Sequence, residues 1–534
     1  MISGKVFEEN SLDSLKPVMH GKQPVWSRRE ALKALTASAS ALALSPKWLF
    51  GEATAEGAKK PNIVLILSDD VGYGDLGCYG GSGVHTPNID KLAQGGLRFT
   101  DAHSDAATCT PSRYALMTGE YAWRKPGAQI LPGDAPLLID PAKPTLASTL
   151  KRAGYATGCV GKWHMGLGNG NIDWNGDIRP GPNEVGFDES FIIPATPDRV
   201  PCVYVENHRV VGLDPKDPIV VSYREKIGTD PTGHDHPELL KMGLSEGHDG
   251  TIVDGISRIG FMSGGHAARW VDEMMEKTLA RKATSFIEEH KNQPFFLYFA
   301  TSDIHVPRDP NNQFVNTSAC GIRCDAIEQL DWVVGQVVET LNKLNLTEDT
   351  LIVFTSDNGP IVDDGYADGS VEHLNGHKPA GPLRGGKYQI FEGGTRMPFI
   401  TSWPGHIQPG TSDALVGQVD LLASFGALAS VPASERAVPD STDQLQTLLG
   451  KAKTGREYIV EESTVLAIRK GQWKLIDANQ PVGQGHGSKV DTQGTEYQLY
   501  DLSKDIGEKN NLAAAHPEIV QELAEKLRDI RKRA

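Results

Sequence analysis

Four side chains with oxygen ligands occur in two adjacent pairs along the chain. Each pair directly follows an uninterrupted apolar run, residues 61–68 in one case and residues 350–356 in the other. A single Asp at such a position is usually a turn or helix-capping residue. Four oxygen donors at the ends of two neighbouring strands instead suit a hard divalent cation such as Ca²⁺. The sequence therefore predicts one calcium site with the ligands Asp69, Asp70, Asp357 and Asn358.

A cysteine and an arginine four residues apart form a second candidate. The segment reads Cys109-Thr110-Pro111-Ser112-Arg113. Alone it is a weak signal, because a free cysteine is most often an inert core residue. Three further short segments contain lysine, arginine or histidine and follow it in order along the chain. They are Gly161-Lys162-Trp163-His164, Ser302-Asp303-Ile304-His305 and Arg384-Gly385-Gly386-Lys387.

Together these strings resemble the motifs of the type I, arylsulfatase-like sulfatases of the alkaline-phosphatase-like superfamily. In that family the cysteine of C-x-P-x-R is oxidised to the aldehyde formylglycine (3-oxoalanine). The resemblance runs in order from about Pro61 to Leu502. It implies an alkaline-phosphatase-like α/β fold and an enzyme that hydrolyses sulfate monoesters to an alcohol and inorganic sulfate.

The resemblance also implies a role for each catalytic residue. Cys109, once converted by a formylglycine-generating enzyme, would supply a hydroxyl of the aldehyde hydrate as the nucleophile, with Ca²⁺ lowering its pKa. Arg113 would hold the hydrate near the metal, and Lys162 would bridge hydrate and sulfate. His164 would accept the proton of the second hydroxyl. His305 and Lys387 would bind the sulfate, with His305 as the expected proton donor to the leaving oxygen and Lys387 as the alternative.

The substrate is expected to be a sulfated sugar or polysaccharide. The segment from Asp363 to Lys378 is rich in Asp, Asn and His, which suits hydrogen bonding to sugar hydroxyls more than stacking on an aryl group. An ordinary polar surface loop has the same composition. The predicted substrate-binding residues are Asp364, His377 and Arg384.

Two other functions compete with this interpretation. Phosphonate and phosphate diester hydrolases of the same superfamily share C-x-P-x-R and the metal site, although the Lys162–His164 and Arg384–Lys387 strings favour sulfate. A non-catalytic, sulfatase-like binding protein is the second alternative. It is disfavoured because every position that the chemistry needs carries a competent residue.

The elements that must position these residues form a large sheet. The apolar runs 61–68, 294–300 and 350–356 are typical of strands buried on both faces by helices, and ligands of such sheets bind beyond the carboxyl ends of the strands. Helices are predicted at 143–153, 270–290 and 324–344. The loop-rich stretches 167–265 and 360–386 are expected to shape the site.

The pattern changes near residue 450. Short alternating strands are predicted at 457–461, 466–469, 473–476 and 497–502, followed by a helix at 516–533. The fold class is therefore α/β, with a large mixed sheet sandwiched by helices and a smaller C-terminal antiparallel α+β subdomain. We predict a catalytic domain over 56–449 and a C-terminal subdomain over 450–534.

Residues 1–55 are predicted to be an export signal. Arg28-Arg29 precedes an apolar run over 34–44 that is too short to span a bilayer, and Ala53-Thr54-Ala55 suits a signal peptidase. This pattern resembles a twin-arginine signal, which implies the twin-arginine translocase as a partner and a bacterial periplasmic or secreted protein. No stable membrane anchor is expected.

Composition excludes several classes. A net charge of −15 over 534 residues argues against a protein that coats nucleic acid. Six cysteines are too few for a disulfide scaffold. Cys320 and Cys324 could form a disulfide, but their short spacing disfavours it. The string Gly72-x-Gly74-x-x-Gly77 matches a dinucleotide fingerprint, yet no helix can start well after it, so the match is accidental.

Overall fold

A computed structural model of the protein describes residues 59–481 and 496–533. The predicted export signal at residues 1–55 lies outside these residues, so it stays a prediction. Residues from Lys60 onward form one compact unit. In the described part of the chain, no helix combines the length and the apolarity that a membrane crossing requires.

The helices and strands of the described residues are numbered in chain order. The helices are α1 (Pro87–Gly95), α2 (Cys109–Thr118), α3 (Leu146–Arg152), α4 (Met275–His290), α5 (Gly321–Lys343), α6 (Glu392–Thr395), α7 (Leu421–Leu428), α8 (Leu445–Leu448) and α9 (Pro517–Lys532). The strands are β1 (Asn62–Ser68), β2 (Leu97–Phe99), β3 (Ala102–His103), β4 (Ala156–Lys162), β5 (Glu189–Ile193), β6 (Val205–Glu206), β7 (Arg209–Val210), β8 (Val220–Ser222), β9 (Gly243–Leu244), β10 (Ile252–Val253), β11 (Ile256–Ser257), β12 (Phe261–Ser263), β13 (Phe295–Ala300), β14 (Thr350–Ser356), β15 (Tyr366–Ala367), β16 (Phe399–Ser402), β17 (Gly410–Ser412), β18 (Val416–Gly417), β19 (Tyr458–Glu462), β20 (Val465–Lys470), β21 (Trp473–Pro481) and β22 (Gln498–Asp501).

A ten-stranded mixed sheet is the centre of the fold. Its strand order is β17-β2-β16-β14-β1-β13-β4-β5-β6-β7. The five strands from β14 to β5 are parallel to one another, and β16 and β6 run antiparallel at the two sides of this group. Every residue of β1, β13 and β14 is buried, as their unbroken apolar sequences predict.

Helices flank this sheet in two groups. Helices α1, α4 and α5 pack together, with α5 contacting both of the others, and α4 also packs on β4 and β13. Helices α2, α3 and α7 contact one another. The mixed sheet with flanking helices confirms the predicted fold class.

A second, four-stranded antiparallel sheet lies near the C-terminus. It has the order β19-β20-β21-β22, and α9 packs on β20 and β21. The four strands and the last helix lie within one or two residues of the predicted bounds, except that β21 continues to Pro481. The predicted domain boundary at residue 449 stays a prediction.

One expectation about the cysteines is wrong. Cys320 and Cys324 form a disulfide. Cys320 precedes α5 with a non-helical backbone, and Cys324 lies in the first turn of that helix. This geometry places their Cα atoms 5.5 Å apart, which is within the span of a disulfide. Cys78, Cys109, Cys159 and Cys202 are free thiols.

The glycine string near residue 72 has a packing role. A Cβ on Gly72 would lie 2.2 Å from the carbonyl oxygen of Pro379, and one on Gly74 would lie 2.2 Å from that of Lys378. Only the short 3₁₀ segment Gly77–Tyr79 follows. These glycines therefore permit close approach of two backbone segments and do not start a nucleotide-binding helix.

Candidate active site

The two oxygen-rich pairs meet at the carboxyl ends of adjacent strands. Ser68 at the end of β1 pairs in register with Ser356 at the end of β14, so Asp69-Asp70 and Asp357-Asn358 leave the sheet side by side. All four residues are buried. The Asn358 amide donates to Asp70 Oδ1 over 2.7 Å, and the Asp70 amide N–H lies 3.4 Å from Asp357 Oδ1.

The donor set of these residues fits a calcium ion. Asp69 Oδ1 and Asn358 Oδ1 are buried and accept no hydrogen bond from any described residue. Buried oxygens are normally satisfied, and oxygens left over in this way are the ligands that Ca²⁺ prefers. Burial and the neighbouring Asp357 raise the pKa of Asp69 to about 8, an effect that a bound divalent cation would offset.

Two buried cations accompany these carboxylates. Lys162, the last residue of β4, donates from Nζ to Asp69 Oδ2 over 2.5 Å. The Arg113 guanidinium donates to Asp357 Oδ2 through Nε at 2.9 Å, and its second terminal nitrogen lies 2.7 Å from the same oxygen. Burial would lower the pKa of Arg113, but Asp357 and other neighbours raise it. Arg113 therefore stays charged beside the predicted metal ligands.

Cys109 lies at the first position of α2 and is 1% exposed. Its sulfur, a carboxylate oxygen of Asp69 and a ring nitrogen of His305 all lie within 4.8 Å of one another. Burial raises the pKa of the Cys109 thiol to about 12. The unmodified thiol therefore stays protonated at neutral pH and is a poor nucleophile.

His305 and Lys387 are neighbours, and Lys387 also contacts two carboxylates. Lys387 Nζ lies 2.9 Å from Asp70 Oδ2, 2.8 Å from Asp364 Oδ2 and 3.4 Å from His305 Nε2. Burial would lower the pKa of Lys387, but the two carboxylates raise it well above the usual value. Burial and the nearby lysines hold the pKa of His305 well below its usual value. The cation is Lys387, and His305 is neutral.

The ring nitrogens of His305 have different roles. Nδ1 lies 2.7 Å from the carbonyl oxygen of Val306, which can only accept, so Nδ1 carries the hydrogen. Nε2 then presents its lone pair toward Lys387.

His164 follows β4 with a left-handed backbone, φ 53°. Its Nε2 donates to the carbonyl oxygen of Leu131 over 2.9 Å, and Nδ1 is buried with no hydrogen-bond partner among the described residues. Burial, Lys162 and Arg199 lower the pKa of His164 well below its usual value. His164 is therefore a neutral imidazole with one free lone pair, which suits a proton acceptor.

The three predicted substrate-binding residues lie in different surroundings. Asp364 joins the cluster of charged residues and histidines around Cys109 through its contact with Lys387. The hydroxyl of Tyr388 also lies 3.1 Å from Asp364 Oδ1. His377 uses both ring nitrogens elsewhere, on Asp75 and on the Ser82 carbonyl oxygen.

Arg384 also has partners outside the cluster. It donates to the carbonyl oxygen of Glu508 over 2.8 Å and stacks over Phe391 at 3.7 Å. Within the described part of the chain, neither His377 nor Arg384 forms a hydrogen bond or ion pair with the cluster around Cys109. Of the three residues, only Asp364 contacts that cluster, and the substrate-binding role of each stays a prediction.

Three polar residues near the cluster were not predicted. Asp198 accepts from Arg199 at 2.9 and 3.0 Å, and His248 Nε2 lies 3.1 Å from the same carboxylate. The Asp198 charge opposes the lowering of the His305 pKa, and Arg199 contributes to the lowering of the His164 pKa, so both lie near the imidazoles. They come from long loops without a motif, and no signal in the sequence distinguishes them.

The sequence that builds this site is similar to those of known enzymes. The profile of the family described as Sulfatase matches residues 61–431. The chain is 52% identical to an N-acetylgalactosamine-6-O-sulfatase of Bacteroides thetaiotaomicron over 90% of this chain and 94% of that protein. It is 33% identical to human arylsulfatase A, covering 87% of each chain.

The chain belongs to the sulfatase family.

A solved structure supports the same assignment. It comes from work on glycosaminoglycan metabolism by Bacteroides thetaiotaomicron, is 52% identical and has a TM-score of 0.87, covering 89% of this chain and all of that one. This sulfatase is therefore a sulfate ester hydrolase with the alkaline-phosphatase-like fold, as the motifs predicted. Lys387 and Arg113 near Cys109 carry positive charge that can stabilise an anionic ester.

Proposed function

We propose that this sulfatase removes the 6-O-sulfate of N-acetylgalactosamine or a closely related sugar, with residue 109 as formylglycine and with a calcium ion at Asp69, Asp70, Asp357 and Asn358. One observation carries the proposal: the Cys109 sulfur lies within 4.8 Å of both an Asp69 oxygen and a ring nitrogen of His305. Beside them, Asp69 Oδ1 and Asn358 Oδ1 are buried and have no hydrogen-bond partner among the described residues. A thiol with a pKa near 12 suits a precursor of the nucleophile better than the nucleophile itself.

The two absent groups would supply chemistry that the unmodified side chains lack. The aldehyde hydrate of residue 109 would provide one hydroxyl to attack sulfur and a second whose deprotonation releases sulfate, and the calcium ion would lower the pKa of the attacking hydroxyl and orient a sulfate oxygen. Arg113 fixes the position of Asp357, and Lys162 fixes that of Asp69.

The cations of the site bind and orient the sulfate. Lys162 and Lys387 are buried, so their attraction for an anionic ester is screened little by water. Both pair with carboxylates in the free site, and a sulfate oxygen would take the place of one such contact. His164, with its free Nδ1, is the proposed acceptor for the second hydroxyl's proton.

Lys387 is the proposed proton donor to the leaving oxygen. Neutral His305 carries its hydrogen on Nδ1, which points to the Val306 carbonyl oxygen, so its Nε2 has no proton to give. Protonated Lys387, whose Nζ lies 3.4 Å from that Nε2, has N–H hydrogens to donate. His305 would then orient the lysine.

The polar residues around the cluster support a sugar substrate. Asp198, Arg199 and His248 form one partly buried, hydrogen-bonded group, and Asp364 and Tyr388 form another. Both groups offer the directional donors and acceptors that sugar hydroxyls need. A relative with 52% identity is named for 6-O-sulfated N-acetylgalactosamine, which is the reason for proposing that sugar and position.

Sulfate release tests the proposal directly. The protein is co-produced with a formylglycine-generating enzyme and given N-acetylgalactosamine and galactose sulfated at position 6 or at position 4, a sulfated oligosaccharide, an aryl sulfate and an aryl phosphonate. We expect the 6-O-sulfated hexosamine to be hydrolysed fastest, and chelation of calcium to stop turnover. Cys109→Ala is the control and should reduce turnover to background. Faster phosphonate than sulfate turnover, or activity on aryl compounds alone, would contradict the proposal.

His248 offers a separate test of sugar recognition. Among the described residues it forms a hydrogen bond with Asp198 and none with the residues around Cys109. His248→Ala removes one hydrogen bond to Asp198, so KM for the sugar sulfate should rise about tenfold while kcat/KM for the aryl sulfate stays unchanged. His266→Ala, at an exposed position among surface carboxylates, is the matched control. Equal effects on both substrates would count against a sugar-binding role.

We also propose export through the twin-arginine translocase to the periplasm or beyond, from Arg28-Arg29 and the short apolar run that follows. Replacement of both arginines by lysine should retain the protein in the cytoplasm of a bacterial host. Unchanged export of that variant would contradict this route.

A further inference from the structure

A continuous set of buried contacts links the Cys320–Cys324 disulfide to the predicted calcium ligand Asp70. The two sulfurs and a ring nitrogen of His377 lie within 4.8 Å of one another. His377 Nε2 lies 2.8 Å from Asp75 Oδ1, and Nδ1 lies 2.8 Å from the carbonyl oxygen of Ser82. The next partner of Asp75 is Arg323, which stands between the two cysteines in the sequence.

Arg323 connects this group to the site. Its guanidinium donates to both carboxylate oxygens of Asp75, at 2.5 and 2.7 Å, and to the backbone carbonyl oxygen of Asp70, at 3.2 Å. The side chains of Arg323, Asp75 and His377 are all fully buried. Among the described residues, no hydrogen bond or ion pair joins any of these three side chains to the sulfate-binding lysines.

The carbonyl of Asp70 matters because this residue has an unusual backbone. Its φ is 55°, in the left-handed backbone region that residues other than glycine seldom adopt. Such a conformation persists only when the surrounding contacts enforce it. The Val71 amide donates to Ser356 Oγ on one side of the following peptide, and Arg323 binds its carbonyl on the other.

We propose that Arg323, Asp75 and His377, supported by the Cys320–Cys324 disulfide, are positioning residues that hold Asp70 in the conformation needed to bind calcium. The proposal rests on the calcium site of the proposed function. It assigns to His377 a role in metal binding through Asp75, Arg323 and Asp70, in place of contact with the sugar.

Calorimetric titration of chelator-treated protein with Ca²⁺ tests this assignment without reference to activity. Arg323→Lys keeps a positive charge but cannot bind Asp75 and the Asp70 carbonyl together, so we expect the Kd for Ca²⁺ to rise roughly 10- to 100-fold. Arg258→Lys is the matched control: Arg258 is equally buried and pairs with Asp272 and two backbone carbonyls, away from the metal ligands. It should leave the Kd unchanged.

A second variant keeps the test decisive if Arg323→Lys does not fold. Cys320→Ala/Cys324→Ala leaves Arg323 intact and should weaken Ca²⁺ binding less than Arg323→Lys does, but measurably. A wild-type Kd in folded Arg323→Lys, or in the double cysteine variant, would overturn the proposal. If the wild-type protein itself binds no Ca²⁺, the calcium site fails instead, and the two failures are thereby distinguished.

Discussion

Lys387 and His305 face each other across 3.4 Å in opposite protonation states. The neighbouring Asp70 and Asp364 keep the lysine charged, and burial together with the lysines keeps the imidazole neutral. An electrostatic arrangement of this kind depends on atoms that the fold brings together from distant parts of the chain, so the sequence alone left the proton donor open between the two.

Substitution of these residues should separate proton donation from sulfate binding. A sugar alkoxide leaves poorly without a proton, whereas a nitrophenolate leaves readily. We therefore expect Lys387→Ala to lower kcat on the sugar sulfate about 100-fold more than on nitrophenyl sulfate. His305→Ala should lower kcat on the two substrates by similar factors. If Lys387→Ala affects both equally and His305→Ala does not, the roles are reversed.

The sequence predicts some of the strands that position the site and misses others. Strands β1, β13 and β14 were predicted within one residue, because each is an unbroken apolar run buried on both faces. Strand β4 carries Lys162 but was not predicted as a strand, since Gly158 and Gly161 weaken its strand pattern.

The structure explains these glycines. A Cβ at Gly158 would lie 2.6 Å from the Phe286 ring, and one at Gly161 would lie 1.8 Å from the Ala300 carbonyl oxygen. The motif of β4 was thus visible in the sequence, while the packing that requires its glycines was not. The same limit applies to the Cys320–Cys324 disulfide, whose feasibility depends on where α5 begins.

Strand β3 contributes a buried ion pair whose strength depends on pH. His103 lies 2.9 Å from Asp101 and 2.6 Å from Glu461, and Glu392 is also near. Burial would lower the pKa of His103, but these carboxylates raise it to about 9.

This shift predicts a loss of stability in alkali. The folded-state pKa of His103 exceeds the ordinary value of 6.5, so its contribution is complete below pH 6.5 and is lost as pH rises through 9. Over that interval the difference in unfolding free energy between wild type and His103→Gln should shrink by about 3 kcal/mol. Urea unfolding at several pH values measures it, and a difference that stays constant from about pH 6 to about pH 10 would refute the assignment.

At the scale of the whole molecule, the C-terminal sheet is part of the site's support. The Ala107 amide donates to the Glu462 carbonyl oxygen at 2.9 Å, and the Glu462 amide donates to that of Asp105 at 3.0 Å. The Ser463 hydroxyl donates to the carbonyl oxygen of Tyr388. The end of β19 therefore holds both the segment that precedes Cys109 and the segment that follows Lys387.

One lysine joins the C-terminal sheet to helix α6 through charge. Lys474 on β21 is fully buried, 2.9 Å from Glu392, 3.0 Å from Glu461 and 3.7 Å from Glu508. Burial would lower the pKa of Lys474, but these carboxylates raise it above its usual value. Glu392 belongs to α6, so this cation connects the C-terminal sheet to the catalytic part of the chain.

Loss of that cation should destabilise the protein as a whole. Lys474→Met leaves three buried carboxylates without their shared partner, and we expect the unfolding free energy to fall by about 3–5 kcal/mol. Lys470→Met is the control, since Lys470 is partly exposed and its surface pairs contribute less than about 1 kcal/mol. Denaturant unfolding of both variants measures the difference, and similar losses would show that Lys474 contributes no more than a surface residue.

The contact of Glu462 with Asp105 and Ala107 also sets an order of events during synthesis. About 350 residues separate Cys109 from Glu462, which a ribosome adds in roughly 20–70 s. Until Glu462 emerges, the segment before Cys109 lacks these hydrogen bonds, so we expect the thiol to be accessible in the growing chain. Once they form, the thiol is 1% exposed. An enzyme that oxidises this cysteine would therefore have to act on the growing or newly released chain, before folding closes the access route.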